Sequence, residues 1–524
     1  MSVLLHELIT DAAETTPDAE AVVFHKQALI YSRLAQTLGL AAGGFLHLGL
    51  GRHERVAVYL DKRPETVVSM FATTAAGGAF VPVNPLLKPE QVAHILRDCN
   101  ARILVTSADR LQLLRDILPT CHDLRAIVVT GGTRPLPPVS IPCITWEELL
   151  VASNAPTPHR IIDGDMASIL YTSGSTGKPK GVVLSHRNMV SGAKSVALYL
   201  ENRASDRILT VLPFSFDYGL SQLTTAFWKG ACAVLLNYLM PRDVLVAVER
   251  ERITGLAAVP PLWIQLAQLD WPERVTFHLR YITNSGGAMP GVVVKSLRSK
   301  LPKTKIFLMY GLTEAFRSTY LPPEELDRRP DSIGKAIPNA EILVVREDGS
   351  PAAPGEAGEL VHRGALVAMG YWNDPQKTSE RFRPAPCLLP GIPFPEIAVW
   401  SGDTVRMDDE GFLYFIARKD DMIKTSGYRV SPTEIEEVIY STGAVGEAVA
   451  LGVPHPTLGQ AIVLLATPRA NQTLDDEFLL AECKRRLPAF MVPAMIKAMN
   501  SLPRNPNGKI DRKKLAGEFS DLFI

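Results

Sequence analysis

The sequence predicts an α/β protein: a large N-terminal domain with mostly parallel sheets and a small β unit, followed by a small C-terminal α/β domain. Three observations carry this expectation. Short apolar, β-rich runs alternate with amphipathic helical patterns through the first part of the chain. From about Ser332 the pattern changes to alternating strands with D-G and P-G turns. A charged, polar joint at 416–430, IARKDDMIKTSGYRV, then separates off a compact α/β stretch, and the boundary is placed at Asp420, giving domains 1–419 and 420–524.

The elements follow in order. LLHELITDAAETTP reads as an amphipathic helix ended by Pro17, and AVVFHKQALIYSRL as two short strands with a turn, running into a helix. RVAVYL is a strand and PETVVSMFATTAAGG a helix closed by glycines. GAFVPVNP, ARILVTS, AIVVTGG and ASILYTS repeat the strand theme. Runs this apolar imply a sheet covered on both faces. AEILVVREDGSPAAPGEAGELVHRG is the antiparallel β unit. Beyond the joint come a helix (PTEIEEVIYST), two strands (VGEAVALGV, QAIVLLATP) and a second helix (LDDEFLLAECKRRLP).

Composition bounds the partners. The 524 residues carry 55 Lys+Arg and 55 Asp+Glu, a balance with no electrostatic footprint for nucleic acid. Hydrophobic residues at 46% and charged residues at 21% are ordinary for a globular chain and exclude a disordered one. The six cysteines form no C-x-x-C pair, so a reducing compartment is expected. No basic n-region with a following apolar run opens the chain, and no stretch approaches ~18 apolar residues, so the expected location is cytoplasmic with no transmembrane segment.

The most informative segment is the glycine-rich run from Tyr171 to Gly181, read as following the strand ASILY and preceding a helix. Its glycines let backbone N–H groups approach a phosphate, its hydroxyls add donors, and lysine supplies a mobile cation. The Walker A spacing is absent, and Ser173 stands where a nucleophile elbow needs its first glycine. A plain surface turn is the competing reading.

With four further motifs in order, this segment resembles the signature loop of the AMP-forming adenylating enzymes: acyl-CoA synthetases, nonribosomal-peptide adenylation domains and luciferases. The other motifs are YGLTE (310–314), SGD (401–403), ARKDDMIKTSGYR (417–429) and NPNGKIDRKKL (505–515), so the resemblance covers essentially the whole chain. It implies attack of a substrate carboxylate on the α-phosphate of ATP, giving acyl-AMP and pyrophosphate, and then transfer of the acyl group to a thiol. Such chemistry needs positioning and charge neutralisation more than covalent help.

By that resemblance, Thr172, Ser173, Gly174, Ser175, Thr176, Gly177 and Lys180 cradle the β- and γ-phosphates, with Lys178 as easily solvated. Tyr310 stacks on adenine, Thr313 touches the α-phosphate and Glu314 holds Mg²⁺, although YGLTEA also reads as a helix start capped by Thr313. Gly286, Gly287 and Ala288 line the adenine with backbone. Asp403 accepts from the ribose hydroxyls, or is simply a turn residue, and Arg418 meets ribose or phosphate. Asp420 is the hinge of a mobile C-terminal domain. Lys509 bridges carboxylate and α-phosphate in the adenylating orientation, against the plain alternative of a solvated tail lysine. Gly427 flanks the route of the thiol.

The segment LPFSFDYGLSQL (212–223) departs from ordinary acyl-CoA synthetases, many of which place His where this chain has Asp217. Phe-Ser-Phe-Asp looks like amino-acid adenylation domains, where that Asp binds the α-ammonium. A carboxylate in an aromatic pocket is costly unless paired. The alternatives are that Asp217 caps a helix or meets a protein partner. Phe216, Tyr218, Ser221, Thr283, Ser285, Met309 and Arg317 complete the expected pocket. Arg317 suits a second substrate carboxylate or, more plainly, a structural ion pair. PFSFDYG and YGLTEAFRSTYLPPEELDRRP further resemble the exosortase-associated acyl-CoA ligases, a free-standing subgroup similar to prolyl carrier-protein ligases.

The expected activity is therefore an AMP-forming acid–thiol ligase acting on a small carboxylic acid, an amino acid by the Asp217 reading. Its cofactors are ATP and Mg²⁺. No carrier domain follows Lys509 before the chain ends at Ile524, so the acceptor is expected in trans, as CoA or as the phosphopantetheine of a separate carrier protein. An acyl-CoA synthetase for a non-amino acid and a non-catalytic nucleotide-binding protein are the alternatives.

Overall fold

The computed structural model describes residues 2–131, 136, 138–151, 157–172, 179–386, 391, 393–418, 422–425, 428–456, 458–469, 472–487, 489–505 and 508–523. Three sheets organise them.

In the first, Met166–Thr172, Ala79–Pro82, Arg55–Tyr59, Ala101–Ser107, Ala126–Thr130 and Cys143–Thr145 lie side by side and parallel. Their apolar runs serve two cores at once. Val56, Val58, Ile103 and Val105 face one, while Ala57, Leu104, Ile127 and Val129 face the other. That is the period-2 alternation of a strand, with helices covering both faces.

In the second sheet, Cys232–Leu235, Arg207–Thr210, Gly255–Ala258, Tyr281–Asn284 and Lys305–Tyr310 run parallel. Thr319–Leu321, Ser332–Ala336, Leu413–Arg418, Ile397–Met407, Ala357–Gly364 and Ala340–Val345 continue it antiparallel. The change of character expected at Ser332 thus begins earlier, between Lys305–Tyr310 and Thr319–Leu321. The eight intervening residues cannot carry a crossover helix, so the chain must turn back.

The third sheet joins Ile423–Thr425, Tyr428–Val430, Val445–His455, Gly459–Pro468 and Met495–Ala498. Helices Pro432–Ser441 and Asp476–Arg486 accompany it, and it has its own apolar clusters around Ile435, Leu464 and Val449. The expected hinge Asp420 and the expected thiol-route glycine Gly427 lie outside the described residues. Among the described residues no helix is long and apolar enough to cross a membrane.

One local expectation is corrected. The glycine-rich segment is followed first by a strand, Lys180–Ser185, and only then by helix His186–Tyr199. Val182, Val183 and Leu184 pair antiparallel with Met166–Thr172, an apolar run with two β-branched valines that the sheet claims before the Ser185 cap opens the helix.

Candidate active site

Open α/β sheets bind ligands outside the carboxyl ends of their parallel strands. Three such ends converge here. Tyr310 closes strand Lys305–Tyr310, Ser285 follows Tyr281–Asn284, and the segment after Arg207–Thr210 leads into helix Asp217–Trp228. That helix starts tight against the incoming chain: a Cβ on Gly219 would sit 2.0 Å from the Pro213 carbonyl oxygen. The close approach fixes Asp217 at the first helical position, with Phe216 as the N-cap, so Asp217 does not cap the helix.

Lys180 and Glu314 meet. Lys180 Nζ lies 3.3 Å from Glu314 Oε1 and donates to the Tyr371 hydroxyl at 2.7 Å. Tyr371 in turn donates to Glu314 Oε1 at 2.5 Å, and the Lys180 ammonium stands 4.0 Å from the centre of its ring. Burial alone would raise the Glu314 carboxyl, but Lys180, the Tyr371 hydroxyl and Arg381 outweigh it and hold the group below its ordinary value. Tyr371 and Arg381 escaped the sequence reading. Tyr371 arrives on the two-residue strand Gly370–Tyr371, which pairs with Val182 and Val183 on the margin of the first sheet. Arg381 donates to the Trp400 carbonyl at 3.0 Å.

Asp217 is buried, and among the described residues its side chain hydrogen-bonds only Thr313 Oγ1, at 3.3 Å. Thr313 opens a short 3-10 turn, Thr313–Ala315, whose N-cap is Leu312, so the threonine caps nothing. Burial raises the Asp217 carboxyl above its ordinary range, although Arg317, Lys509 and Thr313 pull it down. Around it, Phe216 stands edge-on to Tyr218, whose hydroxyl meets Thr283 Oγ1 at 2.5 Å. Ser221 is buried one helical turn after Asp217, on the same face. Met309 is buried and accepts from the Tyr199 hydroxyl at 3.0 Å. Arg317 makes no structural ion pair among the described residues. Its Nη1 donates to Ser285 Oγ at 2.9 Å.

The Tyr310 hydroxyl donates to Asp403, which is buried opposite Arg418 on the neighbouring strand. Gly286 has φ 82, and a Cβ there would lie 3.5 Å from both Lys509 Cε and Phe216 Cζ. Lys509, from the C-terminal part, is exposed, yet its side chain lies against Gly286. Gly287 and Ala288 are exposed. Thr172 Oγ1 is buried without a hydrogen-bond partner among the described residues. Ser173, Gly174, Ser175, Thr176, Gly177 and Lys178 lie outside the described residues.

The donor set fits a hard cation only in company. Glu314 offers ionised carboxylate oxygen, while no cluster of three His, Cys, Asp or Glu exists among the described residues. Mg²⁺ keeps most of its shell as water and phosphate and takes one or two carboxylates, which a single Glu314 fits.

Comparison with known proteins shows the family. Residues 9–372 match the AMP-binding enzyme family, and residues 434–509 its C-terminal domain. The chain is 31% identical over 519 residues to Tyrocidine synthase 3 of Brevibacillus parabrevis, covering 98% of this chain but 8% of that protein. It is also 31% identical over 549 residues to a Long-chain-fatty-acid--CoA ligase of Bacillus subtilis (strain 168), covering 98% of this chain and 94% of that one. Among solved structures, o-succinylbenzoate coenzyme A synthetase (MenE) of Bacillus subtilis, in complex with ATP and magnesium ion, superposes with TM-score 0.81 at 26% identity, over 97% of this chain and 98% of that one. ATP-bound MatB of Rhodopseudomonas palustris shares the fold, with TM-score 0.87 at 24% identity and full coverage of both chains. The chain belongs to the AMP-binding enzyme family.

Proposed function

We propose that this protein is an AMP-forming acid–thiol ligase, which adenylates a small carboxylic acid with Mg·ATP and passes the acyl group to CoA or to a carrier-protein phosphopantetheine. The observation that carries the reading is Lys509 beside Gly286, at the carboxyl ends of the parallel strands that also present Asp217 and Thr313. In the adenylation step, charge builds on the α-phosphate as the acid attacks it. Lys509 supplies a fixed cation there, and Thr313 Oγ a donor. Lys180 neutralises the outgoing pyrophosphate, with the unpartnered Thr172 hydroxyl as a further donor. When bound through Glu314, Mg²⁺ supplies further charge neutralisation across the phosphates. Asp403 holds the ribose, giving up the Tyr310 hydroxyl or sharing its second oxygen with it.

Asp217 carries the finer reading, an amino-acid substrate. A buried carboxylate with one hydroxyl as its partner is poorly satisfied, and a substrate ammonium would complete it. A second reading makes the substrate a non-amino acid. The Thr313 hydrogen bond favours it, because it already gives Asp217 a structural task.

Pyrophosphate release with Mg·ATP, with hydroxylamine trapping the acyl-AMP, tests both readings without a guessed thiol. Turnover of α-amino acids in the wild type, lost by about 100-fold or more in Asp217→Asn, supports the ammonium anchor. An unchanged substrate profile in that variant leaves the non-amino reading. Absence of pyrophosphate release with every acid defeats the adenylation assignment.

A further inference from the structure

Arg317 is, after Trp263, the largest fully buried side chain among the described residues. A guanidinium offers five N–H donors and does not shed its charge in a protein. Here, among the described residues, one donor is met, by Ser285 Oγ, while Nε is buried with no hydrogen-bond partner. Among the described residues no carboxylate comes within 4.0 Å of the group. Burial of a charge so poorly paired is among the most expensive arrangements a folded chain can hold.

The surroundings are built to keep it there. Its guanidinium carbon lies 4.7 Å from the centre of the Tyr218 ring, and the Tyr218 hydroxyl is pinned by Thr283. The preceding residue, Phe316, adopts φ 58, a left-handed conformation that bulky residues rarely take. Its ring fits against Gly192 of helix His186–Tyr199, where even a Cβ would come within 2.5 Å. The reversal at Phe316 carries the next side chain into the interior beside the Asp217 pocket. A strained, well-supported backbone that holds a cation in a substrate pocket, felt by Asp217 but with no carboxylate in ion-pair contact among the described residues, points to a ligand that supplies the missing acceptors.

We infer that Arg317 receives a second carboxylate of the acid substrate, and that the substrates are therefore small dicarboxylic acids, amino dicarboxylic acids included. A carboxylate accepts two parallel N–H bonds from the guanidinium fork. With the ammonium on Asp217 and the second carboxylate on Arg317, each buried charge of the pocket meets its opposite, and the first carboxylate is left to react near Lys509. The inference rests on the adenylation reading given above and narrows its substrate.

The test measures pyrophosphate release and hydroxamate formation by the full chain with matched pairs: aspartate and asparagine, glutamate and glutamine, succinate and its monoamide. Acetate and alanine serve as monocarboxylate controls. The dicarboxylate of at least one pair should exceed its amide by about 100-fold or more in kcat/KM, because a site built around a polar group rejects the analogue that lacks it. In Arg317→Gln and Arg317→Met that ratio should collapse toward one. If neither variant folds, the wild-type ratio decides. Equal or better turnover of the amides or monocarboxylates overturns the inference and leaves the adenylation reading standing. Silence with every acid overturns the adenylation reading, and this inference with it.

Discussion

Tyr371 joins the two charges that define the phosphate end of the cleft: it accepts from Lys180 and donates to Glu314. Removing its hydroxyl leaves both with a poorer partner in a buried place, a loss of about 1–3 kcal/mol. Tyr371→Phe should lower kcat/KM for ATP by about 10-fold to 100-fold in a pyrophosphate-release assay, and an unchanged value would show the hydroxyl to be idle. Asp217 gives a pH prediction of definite sign. Burial, only partly offset by Arg317 and Lys509, raises its carboxyl, and only the ionised form pairs with an ammonium. KM for an amino substrate should therefore rise as pH falls through the raised value, and KM for a non-amino acid should not follow it. Asp217, Lys180 and Glu314 were legible because each stands in a short contiguous motif. Tyr371 and Arg381 were not. Their partners are distant in sequence, with Glu314 57 positions from Tyr371 and Lys180 191, and nothing in GYWNDP advertises a pairing with YGLTE.

Single elements show why glycine cannot be judged from propensity alone. Gly39 lies in helix Tyr31–His47 with nothing within 4 Å of a built Cβ, so Gly39→Ala should raise stability by about 1 kcal/mol. Gly192 lies in helix His186–Tyr199 and would gain the same propensity, but its added Cβ would come 2.5 Å from Phe316 Cδ1. Overpacking of that kind costs about 1–3 kcal/mol. Gly192→Ala should lower Tm while Gly39→Ala raises it, and equal shifts in the two melting curves would remove the role given to the Phe316 contact. The strands of the parallel sheets were legible because burial on both faces writes a continuous apolar run, as in ARILVTS. The strand Lys180–Ser185 was passed over because it abuts a helix without a break, and its β-branched core is two residues long. The two-residue strand Gly370–Tyr371 carries no periodicity at all.

At the scale of the whole molecule, two buried imidazoles contribute to the acid limb of stability. Burial, with His6 adding to it, depresses His186 to about 4, and burial depresses His362 to about 4. His186 Nδ1 accepts from the Leu5 amide at 2.9 Å, while His362 Nδ1 pairs with Ser318 Oγ at 2.9 Å. In the unfolded chain both take protons near 6.5, so between 6.5 and 4 the unfolded state binds more protons than the folded one. Their contribution to stability is then complete above 6.5 and falls by up to about 3 kcal/mol per histidine as pH drops toward 4. Chemical denaturation at several pH values checks this, and His362→Gln should flatten part of the slope. The C-terminal part adds a functional separation. Lys509→Ala should abolish acyl-AMP formation while leaving thioester formation from supplied acyl-AMP, and a variant that still adenylates at the wild-type rate would remove Lys509 from the mechanism.

The short strand Gly370–Tyr371 has one more consequence. It lies against Val182 and Val183, which would otherwise present an open, β-branched margin to any passing chain. The same two residues therefore seal an adhesive edge and deliver the tyrosine that joins Lys180 to Glu314. A local opening that lifts them away disables the cleft and bares a template for intermolecular pairing in one event. Loss of activity on warming should thus run together with the onset of light scattering, before the parallel core of the sheet has melted.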